Sequence, residues 1–116
     1  MTSFEAGDII VVDYPHVETS QLKRRPALVV STKPIGPDGL VLWAVMITSA
    51  DNKRWPGDVV IVDHIALGLP IPSVVRTAKI STLECGGADL ICRCDDKLLP
   101  DVQSRIAGNL GLGDAN

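Results

Sequence analysis

The sequence predicts a mainly β fold, a small antiparallel barrel or strongly curved sheet, with one α-helix at its C-terminal end covering the open side. Three observations predict it. Apolar, β-branched runs follow one another with no helical pattern between them, Gly and Pro punctuate the connections, and the apolar period changes to three and four only after Asp96. The 116 residues, 46% of them apolar, suffice for one buried core and not for two, so the chain reads as a single domain over residues 1–116.

Asp8 to Asp13 (DIIVVD) is the first strand, nearly all β-branched between acidic ends. The following stretch, HVETSQLKRR, fits neither period and reads as a loop, after which Ala27 to Thr32 forms the second strand. KPIGPDG ends in an Asp-Gly pair, which predicts a tight turn and a hairpin into Leu40 to Thr48 (LVLWAVMIT), the longest apolar run. Ser49 to Gly57 is a polar loop holding one Trp, and Asp58 to Val62 is a fourth strand. Beyond the connector GLPIPS, Ser73 to Thr77 and Ala78 to Leu83 are extended, and Cys92 and Cys94 face one side of a further strand. From Asp96 onward Leu98 or Leu99, Val102, Ile106 and Leu110 line one helical face. Asp95 and Asp96 suit its start, Pro100 falls near the first turn, and Gly111 and Gly113 end it.

Composition removes several function classes. With Lys plus Arg at 11 against Asp plus Glu at 14, the net charge is -3, so binding of nucleic acid through bulk positive charge is excluded and any such function is local. Aromatics make up 3% (Phe4, Tyr14, Trp43, Trp55), too few for a surface that stacks many bases. Cys85, Cys92 and Cys94 lack the fourth ligand of a closed zinc site and read as buried thiols; no metal or cofactor is expected. No apolar run approaches the ~18 residues that cross a bilayer, and the first ten residues carry Glu5 and Asp8, unlike a signal peptide, so a cytosolic protein without a membrane partner is expected. P-loop, G-x-G-x-x-G, H-E-x-x-H and G-x-S-x-G signatures are all missing. His16 and His64 stand in no ligand spacing, although His16 adjoins the basic loop.

The charge is distributed unevenly. Residues 1–80 balance eight basic against eight acidic side chains, whereas residues 81–116 hold three basic and six acidic, which accounts for the whole net charge. Seven basic residues fall in three short segments: Lys23, Arg24 and Arg25; Lys53 and Arg54; Arg76 and Lys79. Brought together, they form a phosphate-sized patch. Arg25 abuts Pro26 and a core strand, so rigid backbone anchors a fork of donors suited to bidentate phosphate recognition. Thr48 and Ser49 put small hydroxyls at a sheet rim, where turn capping is the competing role. Arg76, inside a strand, requires an acidic partner such as Asp8 or an anionic ligand.

These residues resemble the MazF/PemK family of toxins from toxin–antitoxin pairs, which are endoribonucleases. Four ordered segments carry the resemblance: GDIIVVDYP (7–15), RRPALVVS (24–31), ITS (47–49) and GLPIPSVVR (68–76). The resemblance implies a small SH3-like barrel, also the fold of the CcdB toxins, and a homodimer that binds single-stranded RNA across a groove and is held in check by a cognate antitoxin. By position it implies that Arg25 and Thr48 act at the scissile phosphate with Arg76, and that Asp8 orients the site. Lys23, Arg24, Ser49, Lys53, Arg54 and Lys79 are the candidate RNA contacts, with Glu18 and His16 supporting. Two departures bear on the chemistry. The chain reads VVRTAK, so Ala78 stands where many relatives have an aspartate proposed as catalytic acid or base, and Ser20 replaces a usual glutamate two residues from Glu18.

The leading expectation is a metal-independent, sequence-specific RNA endonuclease toxin that leaves a 2′,3′-cyclic phosphate and inhibits growth. The alternative is a non-catalytic module on the same fold, either an RNA binder or a CcdB-like gyrase poison. The C-terminus NLGLGDAN lacks the Trp-Gly-Ile type ending of the gyrase poisons.

Overall fold

A computed structural model describes residues 4–15, 22–94 and 97–112. The elements run β1 (Asp8–Pro15), β2 (Leu22–Val29), β3 (Val41–Ser49), β4 (Asp58–Val60), β5 (Ser73–Glu84), β6 (Ala88–Arg93) and α1 (Leu98–Asn109). The strands form one antiparallel sheet in the order β4-β5-β3-β2-β1-β6. Among the described residues no pairing joins β4 to β6, so the expected barrel is left open at that seam.

Because side chains alternate across a strand, the β-branched runs supply apolar groups to both faces. Ile9, Leu28, Val45, Ile47, Val59 and Val75 form one cluster, into which α1 inserts Leu98 and the fully buried Val102. Ile10, Val12, Ala27, Val29, Leu42, Ala44 and Leu83 form the other. Burying one such side chain contributes roughly 1.5–3 kcal/mol, enough for Val102 to anchor an amphipathic helix that would be marginal alone.

Several boundaries differ from expectation. β2 starts at Leu22, five residues early, so Lys23, Arg24 and Arg25 lie in a strand and not in a loop. The cause is pairing: β1 runs to Pro15 and gives Arg24 and Arg25 the partners Asp13 and Val12. β4 stops at Val60, because its ladder to β5 ends at Val74. The two extended pieces around residue 77 are a single strand, β5, in which Thr77, Ala78 and Lys79 bulge between the pairs Met46–Arg76 and Val45–Ile80. Asp95 and Asp96 lie outside the described residues; the helix is capped at Lys97 without a side-chain cap bond. The Asp-Gly turn forms as expected, with Asp38 and Gly39 at φ 57° and 65°, and a Cβ on Gly39 would lie 2.7 Å from Pro34 Cβ. No described helix is long and apolar enough to cross a membrane.

Candidate active site

Strand parity assembles the site. Ala27 pairs with Met46 at the end of the β2–β3 ladder, so Arg25, two residues on in β2, has the same strand parity as Thr48, two residues on in β3. Met46 pairs with Arg76 and Thr48 with Val74 across β3 and β5. Arg25, Thr48 and Arg76 therefore share the sheet face that carries the second apolar cluster, away from α1. Two guanidinium groups and one hydroxyl from three separate segments thus lie on one face of the sheet.

Their environments differ. Arg25 is half-buried and makes no hydrogen bond or ion pair with any described residue, so its donors remain available to an anion. Thr48 is buried, and its Oγ1 accepts a 2.7 Å hydrogen bond from Asn52 Nδ2. With that lone pair occupied, the hydroxyl proton is left to point elsewhere.

Arg76 is clamped. Its Nε and Nη2 reach the two carboxylate oxygens of Asp58 at 3.2 and 3.0 Å, Nη2 also donates to the Lys53 carbonyl at 2.8 Å, and the guanidinium lies 4.3 Å from the Trp55 ring centroid. Burial alone would raise the Asp58 pKa. Hydrogen bonds from Arg76 and the Trp55 amide, with the positive charges of Arg76 and Arg54, outweigh it and hold the carboxyl below its ordinary value. The expected partner of Arg76, Asp8, is thus replaced by Asp58. Asp8 instead accepts from Arg93 at 3.2 Å and from the Glu5 amide at 2.9 Å. It lies four residues along β1 from Val12, about 13 Å of strand, too far to orient a group held by Arg25.

The other expected RNA contacts separate. Arg24 points to the opposite face from Arg25 and is neutralised by Asp13 and Asp89. Ser49 Oγ accepts from the Asp51 amide at 3.1 Å, the turn-capping role. Lys53 and Arg54 are exposed in the loop above the face, and Lys79 is exposed in the β5 bulge. Lys23 contributes backbone to β2 opposite Tyr14, and His16 and Glu18 lie outside the described residues. Ala78 faces the other way, lining an uncharged groove of about 590 Å³ with Trp43, Ile80, Ile106 and Leu110. Among the described residues no cluster of His, Cys, Asp and Glu could hold a metal ion; Cys94 is buried in the first core cluster and Cys92 donates to the Leu67 carbonyl.

Sequence reasoning missed Asn52, Trp55 and Asp58. The one signal for Asp58 was a buried Arg in a strand needing a carboxylate; nothing in the chain's order pointed to a residue 18 positions earlier.

Comparison with known proteins completes the description. The family described as "PemK-like, MazF-like toxin of type II toxin-antitoxin system" matches residues 5–110. Similar solved structures include MazF in a MazE–MazF crystal from Deinococcus radiodurans (23% identity, TM-score 0.75, covering 97% of this chain and 100% of that one). An endoribonuclease in complex with its cognate antitoxin from a mycobacterial species is similar at 18% identity and TM-score 0.74, covering 97% and 99%. The Mycobacterium tuberculosis toxin MazF-mt6 is similar at 18% identity and TM-score 0.71, covering 92% and 99%. No curated protein sequence matches the chain.

Proposed function

The chain belongs to the PemK-like, MazF-like toxins of type II toxin–antitoxin systems, and from that premise we propose that it is a sequence-specific, metal-independent endoribonuclease cutting single-stranded RNA within a single domain. The observation that carries the reading is that the Arg25 guanidinium, without a partner among the described residues, shares one sheet face with the Thr48 hydroxyl and the fixed charge of Arg76.

RNA cleavage without metal requires the 2′-hydroxyl to lose its proton, the pentavalent phosphate to be stabilised and the 5′-oxygen to leave protonated. Arg25 supplies two parallel donors to non-bridging oxygens as charge accumulates on them. Thr48, held from behind by Asn52, donates its hydroxyl proton to the same group. Arg76 acts as a positioning residue, since its Nε and Nη2 donors are committed to Asp58 and the Lys53 carbonyl. Asp58 is unsuited to be the base for the same reason. We assign the base to the segment between β1 and β2, which holds His16 and Glu18 and leads into the strand bearing Arg25. Attack of the 2′-oxygen on phosphorus, its proton passing to the base, breaks the bond to the 5′-oxygen, which takes a proton from Arg25 or from water, and leaves a 2′,3′-cyclic phosphate and a 5′-hydroxyl.

The reading includes a homodimer and inhibition of growth. It also includes a cognate antitoxin whose acidic or amphipathic segment covers the cationic face and excludes RNA by occupying the phosphate positions. Purified protein incubated with a long RNA in EDTA is expected to give defined cuts, and Arg25→Ala to reduce the rate at least ~100-fold without lowering Tm. Inhibition of DNA supercoiling with intact RNA, or full activity of Arg25→Ala, overturns the proposal.

A further inference from the structure

We propose that Trp55 is a base-stacking subsite of this face, taking one nucleobase of single-stranded RNA on its indole with Lys53 and Arg54 receiving the neighbouring phosphates. The proposal rests on the ribonuclease reading and adds a specificity-determining residue to it.

Trp55 is 42% exposed although Arg76 lies 4.3 Å from its ring centroid. The solvent-open surface therefore belongs to the remaining face and edge of the ring. The mount is rigid: the Trp55 amide donates to Asp58 Oδ2 at 2.9 Å, its carbonyl accepts from the Asp58 amide at 3.1 Å, and Asp58 in turn locks Arg76. A ring on a fixed backbone and packed on Arg76 loses less entropy on receiving a ligand than one on a mobile loop, and the cation behind it strengthens stacking on the front.

The surroundings select a nucleic acid. Lys53 and Arg54 precede Trp55, are exposed, and make no ion pair with described residues. The loop bearing them is tied to the candidate phosphate site at two adjacent residues, through Asn52 to Thr48 and through the Lys53 carbonyl to Arg76. A flat apolar ring beside two exposed cations matches the alternation of bases and phosphates along a single strand; an acidic peptide would use the cations and leave the ring idle.

Trp43→Phe, a change on β3 in the groove beside α1, leaves Trp55 as the sole tryptophan. This variant is titrated in EDTA with random-sequence 2′-O-methyl oligoribonucleotides, which cannot be cut through the 2′-oxygen. Trp55 emission is expected to be quenched on binding. Trp55→Ala should bind roughly 5- to 150-fold more weakly, the range for losing one stacked base, while Trp55→Phe retains most of the affinity. Binding without quenching, wild-type affinity in a Trp55→Leu variant that keeps apolar bulk over Arg76, or quenching by poly-glutamate but not by RNA overturns the subsite. Defined cuts with unquenched Trp55 overturn the subsite alone, whereas failure of the wild type both to bind and to cut RNA overturns the ribonuclease reading with it.

Discussion

Replacing Asp58 by Ala tests whether the Arg76 clamp holds the site loop. The side chains of Arg76 and Asp58 are only 9% and 1% exposed, so removing the carboxylate strands a cation that water can barely reach. Breaking a buried pair from one side typically costs about 3–5 kcal/mol, far above the ~0–1 kcal/mol of an exposed pair. Arg76 would keep the Lys53 carbonyl and the face of Trp55. That places the expected loss at the lower end, about 3 kcal/mol, or a fall in Tm of roughly 10–15 °C for a chain of this size. Urea denaturation followed by circular dichroism reads the change as a lower midpoint at unchanged slope. The double replacement Asp58→Leu with Arg76→Met removes both charges and should cost less than Asp58→Ala alone. A loss under ~1 kcal/mol for Asp58→Ala, or a double variant worse than the single, would refute the assignment of a buried, load-carrying pair.

The same carboxylate predicts a pH dependence. Its folded pKa is depressed, so its contribution is fully present above the unfolded value near ~3.9 and is lost as pH falls through the folded value; the stability gap between wild type and Asp58→Asn should be flat above about pH 5 and narrow below it. Asn52→Ala removes the hydrogen bond that orients Thr48 and should slow cleavage about tenfold, the equivalent of one lost bond of ~1–1.5 kcal/mol, with little change in Tm; an unchanged rate would mean that Thr48 needs no support. Gly57 has φ +88°, and a Cβ there would lie 2.9 Å from Thr77 Oγ1, so Gly57→Ala should destabilise by more than ~1 kcal/mol in thermal unfolding.

Much of the architecture was legible because β-branched runs and the later three-four spacing are local signals. DIIVVD, PALV and VLWAVMIT appear in strands, although the second expected strand ends at Val29 and not at Thr32, and Leu98, Val102 and Ile106 form a helical stripe against the sheet. The errors arose where distant chain decides. The basic stretch before Pro26 has no periodic signature, and it is extended because β1 offers it partners. Position along the chain also identified Arg25, Thr48 and Arg76 as candidates, yet it could not say which charges were already neutralised. Asp58 and Asp8 are both acidic residues opening a strand; only the fold puts one beneath Arg76 and the other beside Arg93.

Arg24 and Arg25 are neighbours in sequence, and the pleat sends them to opposite sides of the sheet, one to quench two acids and one without a partner among the described residues. Their identities are consequently addresses set by counting. Inserting one residue between Arg25 and Pro26 would exchange their faces, delivering Arg24 to the reactive side while leaving composition and net charge almost untouched. An engineer altering this protein therefore has more freedom to change which cation is present than to change how many residues separate it from Ala27.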